Sequence, residues 1–405
     1  MPEAFIVSAA RSPIGRAFKG SLKDLRPDVL AAQIVQAALD AVPALDAAEV
    51  DDLMLGCAQP AGEQGYNIGR VVGVRLGLDG VPGTTVQRYC ASSLQTTRMA
   101  FHAIRAGEGD VFISGGVECV SRYALGKADG MPDTKGEEFL KAGERHAARV
   151  AAGTPWTDPR EAGELPDVYL AMGETAENVA ELHGVSRAAQ DEFGVRSQNL
   201  AEEADARGFW ATDITPVTLP DGTVVSVDDG PRKGVTLEKV AKLDPVFRPS
   251  GTITAGNCCP LNDGAAALVI MSDVRARELG LTPLARIVST GVSALSPEIM
   301  GLGPVEASKQ ALARAGLSAS DIDLVEMNEA FAAQVLPSID QIGLSIDQVN
   351  VNGGAIALGH PFGSTGARLT TTLIHGLQER DATYGLETMC AAGGQGMAMV
   401  IERLS

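Results

Sequence analysis

Positive charge, aromatic rings, paired cysteines and long apolar runs are all scarce in this sequence, and each scarcity removes a class of function. Lys and Arg number 33 against 51 Asp and Glu, for a formal charge of −18, a field that repels a nucleic-acid backbone. Aromatic residues are 4% of the chain, and no stripe interleaves them with basic side chains as a nucleic-acid surface requires. The six cysteines, at 57, 90, 119, 258, 259 and 390, form no C-x-x-C pair and no histidine-spaced set. That argues against a disulfide framework and against a bound metal. No run approaches the roughly 18 apolar residues that cross a bilayer, so membrane insertion is not expected. The opening M-P-E-A-F-I-V-S-A-A lacks a basic start, a long apolar stretch and a cleavage site; the expected location is the cytoplasm.

What is present is a 405-residue chain, 45% hydrophobic and 21% charged, long enough for two or three domains. Its order of elements repeats. A helical pattern from Val29 to Ala41 leads through A-A-E-V-D-D-L-M-L-G at 47–56, a turn feeding a buried strand; a second from Val305 to Ala315 leads through S-A-S-D-I-D-L-V-E-M at 318–327. In each half a further strand then runs into a small-residue turn and a helix, T-T-V-Q-R-Y before Cys90 and Q-V-N-V-N-G-G before His360. Gly56 precedes Cys90 by the same interval as Asn328 precedes His360, to within two positions. This is the pattern of a duplicated α/β unit. Residues 121–250 break it with Gly, Pro and charge, helical stretches at 172–209 and a turn-bearing segment at 216–234. The division expected is therefore 1–120 plus 251–275 for the first half, 121–250 for an inserted lid, and 276–405 for the second half.

Four places carry candidate chemistry. Cys90 stands where a strand ends and a helix begins, so the positive end of the helix dipole favours its thiolate; the same position suits a buried structural cysteine. His360 lies in a glycine-dense turn followed by Pro361, a setting for close backbone approach to a bound group or for a packed histidine. Cys390 opens C-A-A-G-G-Q-G between two strand-like segments, a bend that exposes backbone N–H groups as an oxyanion site requires. Asn328 and Glu329, in M-N-E-A-F-A-A-Q, read equally as a helix cap.

The Cys90 segment, N-E-A-F-A at 328–332, G-G-A-I-A-L-G-H-P-F-G at 353–363 and the Cys390 bend resemble the four signature blocks of the thiolase family in order and approximate spacing. T-A-G-N at 254–257, N-D-G-A-A at 262–266 and M-G-E-T-A-E-N-V-A at 172–180 resemble further family segments, so the likeness spans essentially the whole chain. It implies a thiolase-like five-layered αβαβα core built from two similar halves, with a lid. It implies 3-ketoacyl-CoA cleavage with coenzyme A or the reverse condensation, CoA and acyl-CoA as substrates with no permanently bound cofactor, and a homodimer or homotetramer.

The resemblance also assigns roles. Cys90 is the nucleophile, His360 takes its proton, and Cys390 moves protons to and from the enolate and the CoA thiol. His360 and a water held by Asn328 serve the thioester oxygen; the backbone N–H groups of Cys90 and Ala392 serve the carbonyl under attack. CoA contacts fall on Arg232, Met172, Ala255, Cys259, Leu261, Ala330 and Phe331. The chain departs from the family in three places. Its bend has Ala392 where a glycine is usual, which keeps the N–H donor provided φ is negative. Cys258 and Cys259 replace small residues such as Ser or Ala. Ala171-Met172-Gly173 stands where acetoacetyl-CoA-restricted members commonly carry His-Met-Gly, which points to longer or bulkier acyl groups. The rival readings are an acetoacetyl-CoA-forming biosynthetic enzyme, a decarboxylating synthase of the same fold, and a silent acyl-CoA carrier. The second cysteine at 390 argues against the synthase, and the four site residues together against the carrier. No G-x-G-x-x-G follows the first strand, which disfavours a dinucleotide oxidoreductase.

Overall fold

The computed structural model describes residues 1–129 and 133–405; residues 130–132, within the expected insert, lie outside them. Strands β1 (Ala4–Arg11), β2 (Asp52–Gly56), β3 (Gly83–Val86), β4 (Val111–Cys119), β5 (Asn262–Ser272), β6 (Ala285–Ala294), β7 (Leu324–Met327), β8 (Tyr384–Ala391) and β9 (Gln395–Arg403) lie on one hydrogen-bonded path. Its order is β7-β8-β9-β6-β1-β5-β4-β2-β3. The link between β6 and β1 rests on two register pairs, Phe5 with Arg286 and Ile6 with Ala285, so the path divides there into two sheets. They pair alike. β2–β4 is parallel and β4–β5 and β5–β1 antiparallel; β7–β8 is parallel and β8–β9 and β9–β6 antiparallel.

The helices complete the layers. α1 (Pro27–Asp40) and α2 (Ile68–Arg75) cover the outer face of the first sheet, and α3 (Ser92–Ala106) its inner face. In the inserted segment come α4 (Glu137–Ala151), α5 (Met172–His183) and α6 (Arg187–Ala206); then α7 (Gly303–Ala315) and α8 (Ala332–Ile342) cover the outer face of the second sheet, and α9 (Thr365–Glu379) its inner face. α3 and α9 pack on each other in the middle, which makes five layers, αβαβα. All eleven residues of β5 are buried, because α1 lies on one side of that strand and α9 on the other. That explains why A-A-A-L-V-I-M reads as a continuous apolar run rather than an alternating one.

Three local features differ from the sequence reading. The segment before His360 makes only a single bridge, Val349 with Val325. There Asn350 takes a left-handed φ of 48°, and its side chain accepts from Met327 N at 2.8 Å and donates to Met327 O at 2.8 Å. An amide side chain thus occupies the donor and acceptor that a strand ladder would use. The charged stretch around 137–151 forms α4, with Glu137 and Glu138 in its first turn and Arg149 in its last, the arrangement that a helix dipole favours. Cys390 lies inside β8, paired with Gly396 of β9, and the bend proper is Ala392-Gly393-Gly394.

The middle layer depends on a close approach. A Cβ on Gly366 would lie 2.3 Å from the backbone N of Leu94, and Ala367 N, at the start of α9, donates to Ser93 Oγ of α3 at 3.0 Å. Gly366→Ala is expected to push the two helices apart and cost about 1–3 kcal/mol, read as a lower denaturant midpoint with an unchanged m value. An unchanged midpoint would show that the contact yields without strain.

Candidate active site

The two turns that open α3 and α9 face each other. Cys90 sits in a 3-10 turn, Tyr89–Ala91, that precedes α3, and His360 is followed by a 3-10 turn, Phe362–Ser364, that precedes α9; these turns are in contact. Tyr89 adopts a positive φ of 44°, an uncommon conformation for an aromatic residue and one that turns the chain sharply from β3 into the helix.

Two backbone N–H groups, those of Cys90 itself and of Ala392, favour the charged form of the Cys90 sulfur. Ala392 is absent from the residues with positive φ, which in this bend are Gly393 (78°) and Gly394 (76°). The departure at 392 therefore costs no strain and keeps the donor. Burial pushes the Cys90 thiol up to about 12, the negative Glu118 pushes the same way, and the two N–H groups pull back. The α-helix begins only at Ser92. Loss of water therefore outweighs the dipole activation expected from sequence, and the resting group is a thiol that needs a base.

His360 is held as a neutral ring. Its ring is buried, and burial, helped by the positive Arg368, pushes it down to about 3. The neutral ring has a defined tautomer. Thr365 Oγ1 donates to Pro361 O at 2.9 Å and so accepts from His360 Nδ1–H at 2.7 Å. Nε2 is left as the basic nitrogen and accepts from Asn328 Nδ2 at 3.2 Å. His360 N donates to Asn262 Oδ1 at 3.0 Å, and the ring packs edge-on against Phe362 at 5.0 Å between centroids.

Asn328 is not a helix cap. α8 begins at Ala332 after Phe331, and the Asn328 side chain turns to His360. Its neighbour Glu329 is buried and accepts from Ser197 Oγ at 2.6 Å, Asn350 Nδ2 at 2.8 Å and Ile356 N at 3.0 Å, which fixes the loop before His360. Cys390 is fully buried, its thiol pushed up by burial and by Cys90. Cys259 feels both sulfurs.

A cavity of about 580 Å³ opens onto Cys90. Its wall includes Ala58, Gln59, Tyr89, Phe362 and Ala392 from the core and Leu140, Val168, Tyr169, Leu170, Ala171 and Met172 from the insert. Of the residues assigned to CoA, Met172, Cys259, Ala330 and Phe331 join one apolar cluster with Cys390, and Phe331 packs on Phe247 at 6.1 Å. Ala255 and Leu261 are exposed. Arg232 instead lines a second cavity of about 470 Å³ with Lys233 and Trp210, while its N–H donates to Gln198 at 2.9 Å. The sequence reading missed Thr365, Asn262 and Glu118. Asn262 opens the family-like segment N-D-G-A-A, and Glu118 is the one carboxylate in the buried run V-F-I-S-G-G-V-E-C. Among the described residues no group of three or more His, Cys, Asp or Glu could hold a metal ion.

Comparison with known proteins agrees with this geometry. The thiolase N-terminal domain family matches residues 4–274 and the thiolase C-terminal domain family residues 281–403. The 3-oxoadipyl-CoA/3-oxo-5,6-dehydrosuberyl-CoA thiolase of Escherichia coli K12 is 45% identical over 100% of both chains. The 3-ketoacyl-CoA thiolase of Marinomonas sp. MWYL1 is 41% identical over 99% of this chain and 98% of that one. The crystal structure of the Bacillus anthracis acetyl-CoA acetyltransferase superposes with a TM-score of 0.86 at 40% identity, covering 100% of this chain and 99% of that one. The fold, the buried cysteine–histidine site and these likenesses define an acyltransferase of the thiolase kind. The chain belongs to the thiolase family.

The depressed imidazole gives a measurable consequence. A ring whose folded value lies near 3 instead of 6.5 stays unprotonated as pH falls through 6.5, and its capacity to accept a proton is lost only on approaching 3. NMR of the His360 ring is expected to show no titration between about pH 5 and 7. An inflection there would place the ring in contact with water.

Proposed function

We propose that the chain is a 3-ketoacyl-CoA thiolase (acetyl-CoA C-acyltransferase) of degradative type, working through an acyl group on Cys90. The observation that carries this reading is the contact between the turn that holds Cys90, which opens onto the cavity, and the turn that follows His360, a buried histidine of fixed tautomer. His360 Nε2 takes the thiol proton as Cys90 Sγ attacks the 3-keto carbon, whose oxygen is received by the N–H groups of Cys90 and Ala392. The C2–C3 bond breaks, and its electron pair becomes the enolate of acetyl-CoA, with its oxygen toward His360 and Asn328. Cys390 gives that carbon its proton. The Cys390 thiolate then takes the proton of an incoming CoA thiol, CoA attacks the acyl thioester, and His360 returns the proton to Cys90. CoA and acyl-CoA are then substrates, no permanent cofactor is required, and the working form is a homodimer or homotetramer.

Acyl-CoA quenching followed by peptide mapping is expected to find the acyl group on Cys90 and none on Cys390. Cys390→Ser is expected to lower turnover far more than it lowers acyl-enzyme formation. Label on Cys390 alone, or equal losses in both steps, would reverse the two roles.

Substrate range follows from the cavity wall. Leu140, Val168, Leu170, Ala171 and Met172 offer apolar surface beside Cys90, and each further buried methylene contributes up to about 0.8 kcal/mol, roughly fourfold in affinity. Acyl groups beyond four carbons are expected to be cleaved at least as efficiently as acetoacetyl-CoA; a steep fall in kcat/KM beyond four carbons favours the acetoacetyl-CoA-forming reading. A second reading, an acyl group ending in a carboxylate, is favoured by the E. coli relative's name and by Lys135, a cation on the cavity wall. Asp129 and Asp133 share that wall and oppose it. 3-Oxoadipyl-CoA and 3-oxohexanoyl-CoA, equal in length, separate the two readings.

A further inference from the structure

Among the buried acids that the mechanism above leaves unused, one touches both halves of the site. Glu118, near the end of β4, is fully buried. Its Oε2 accepts from Ala58 N at 2.7 Å and from Gly363 N at 2.9 Å. Its Oε1 accepts from Gln64 Nε2 at 2.7 Å and from Tyr123 Oη at 2.9 Å, with Cys57 Sγ at 3.8 Å. Burial pushes the carboxyl up, and the donors from Ala58, Gln64, Tyr123 and Gly363 pull it back. A carboxylate surrounded by donors on both oxygens is best satisfied when ionised. No lysine or arginine hydrogen-bonds to it among the described residues; the titratable groups it acts on are Cys57, Cys90, Cys119 and Tyr123.

The position of these contacts gives the acid its meaning. Ala58 follows β2 in the first half and lines the cavity at Cys90. Gly363 belongs to the second half, three residues after His360. The two halves meet there without side chains. A Cβ on Gly116 would lie 2.0 Å from Gly363 O, one on Gly56 2.8 Å from the same atom, and one on Gly363 2.8 Å from Cys57 Cα. Three glycines permit the approach, and one carboxylate oxygen ties both chains at that point.

We propose that Glu118 is a positioning residue for acyl transfer: its Oε2, accepting from Ala58 N beside the Cys90 cavity and from Gly363 N of the His360 turn, sets one turn against the other. This rests on the roles proposed above for Cys90 and His360. Two substitutions test this. Glu118→Asp loses one methylene of reach, so the two backbone N–H groups and the Gln64 and Tyr123 donors cannot all be met. A misplacement of about 1 Å can cost on the order of a hundredfold in rate, so acylation of Cys90 by acetyl-CoA should slow by that order with little change in KM. Glu118→Gln keeps the reach but turns an NH2 donor toward two of the four donors, so it loses part of the same tie.

The test measures acylation by acetyl-CoA and alkylation of Cys90 by iodoacetamide at pH 8 in wild type and both variants, with thermal melting to confirm that each is folded. Acylation should slow in both variants, while alkylation, which needs only an accessible Cys90 and no His360 turn, should stay near wild type. Faster alkylation in both variants would mean a loosened core rather than a displaced turn, and overturns the proposal. Wild-type acylation in the Asp variant overturns it as well. The Asp variant adds no atom to the core and keeps the test open if the Gln variant does not fold. Failure of the underlying reading shows differently, as a wild-type enzyme that never acylates Cys90.

Discussion

Everything at the active centre hangs on the contact between α3 and α9. Each half contributes one of these helices, and each helix is preceded by the turn that carries half of the cysteine–histidine pair. Neither half contains a complete site. The bare backbone of Gly366 against Leu94 allows the helices to touch closely enough for the turns to meet, and Ser93 Oγ on Ala367 N fixes their relative height. The core therefore sets the geometry of the site as well as stability, since any residue that spreads the middle layer also separates the Cys90 turn from the His360 turn.

Burial then sets the protonation states. Cys90 is held as a thiol and His360 as a free imidazole for the same reason, exclusion of water, which disfavours the charged form of each. Both groups are neutral at rest. In the mechanism proposed above the thiol proton passes to His360 Nε2 as Cys90 attacks, and the charge that develops on the substrate oxygen meets two backbone N–H groups already in place.

The architecture was largely legible in the sequence because duplication leaves a spacing signal that survives divergence. The helices expected near 29–41 and 305–315 appear as Pro27–Asp40 and Gly303–Ala315, Asn328 bonds to His360, and the turns at Cys90 and His360 meet from segments far apart in the chain. What could not be read depends on tertiary surroundings. Dipole position suggested an ionised Cys90, but burial is a property of the assembled layers. A strand before His360 was expected from its apolar residues, whereas Asn350 replaces the ladder with its own amide. The insert is joined to both halves by buried charge as well as by packing: Arg11 of β1 pairs with Asp213 and Asp228, each at 2.6 Å, and His375 of α9 pairs with Asp213 at 2.8 Å. Removing one member of such a set typically costs about 3–5 kcal/mol, yet nothing in the local sequence marks Arg11 as different from the other arginines.

The bend after β8 separates chemistry from selectivity. At Ala392 the main chain supplies the donor and the side chain lines the cavity, whereas Gly393 and Gly394 are held by positive φ, and a Cβ on Gly394 would lie 2.2 Å from Leu295 O. Natural variation at this bend is therefore channelled into one position. Residue 392 can change size to reshape the substrate chamber while the amide that serves the reaction stays where it is.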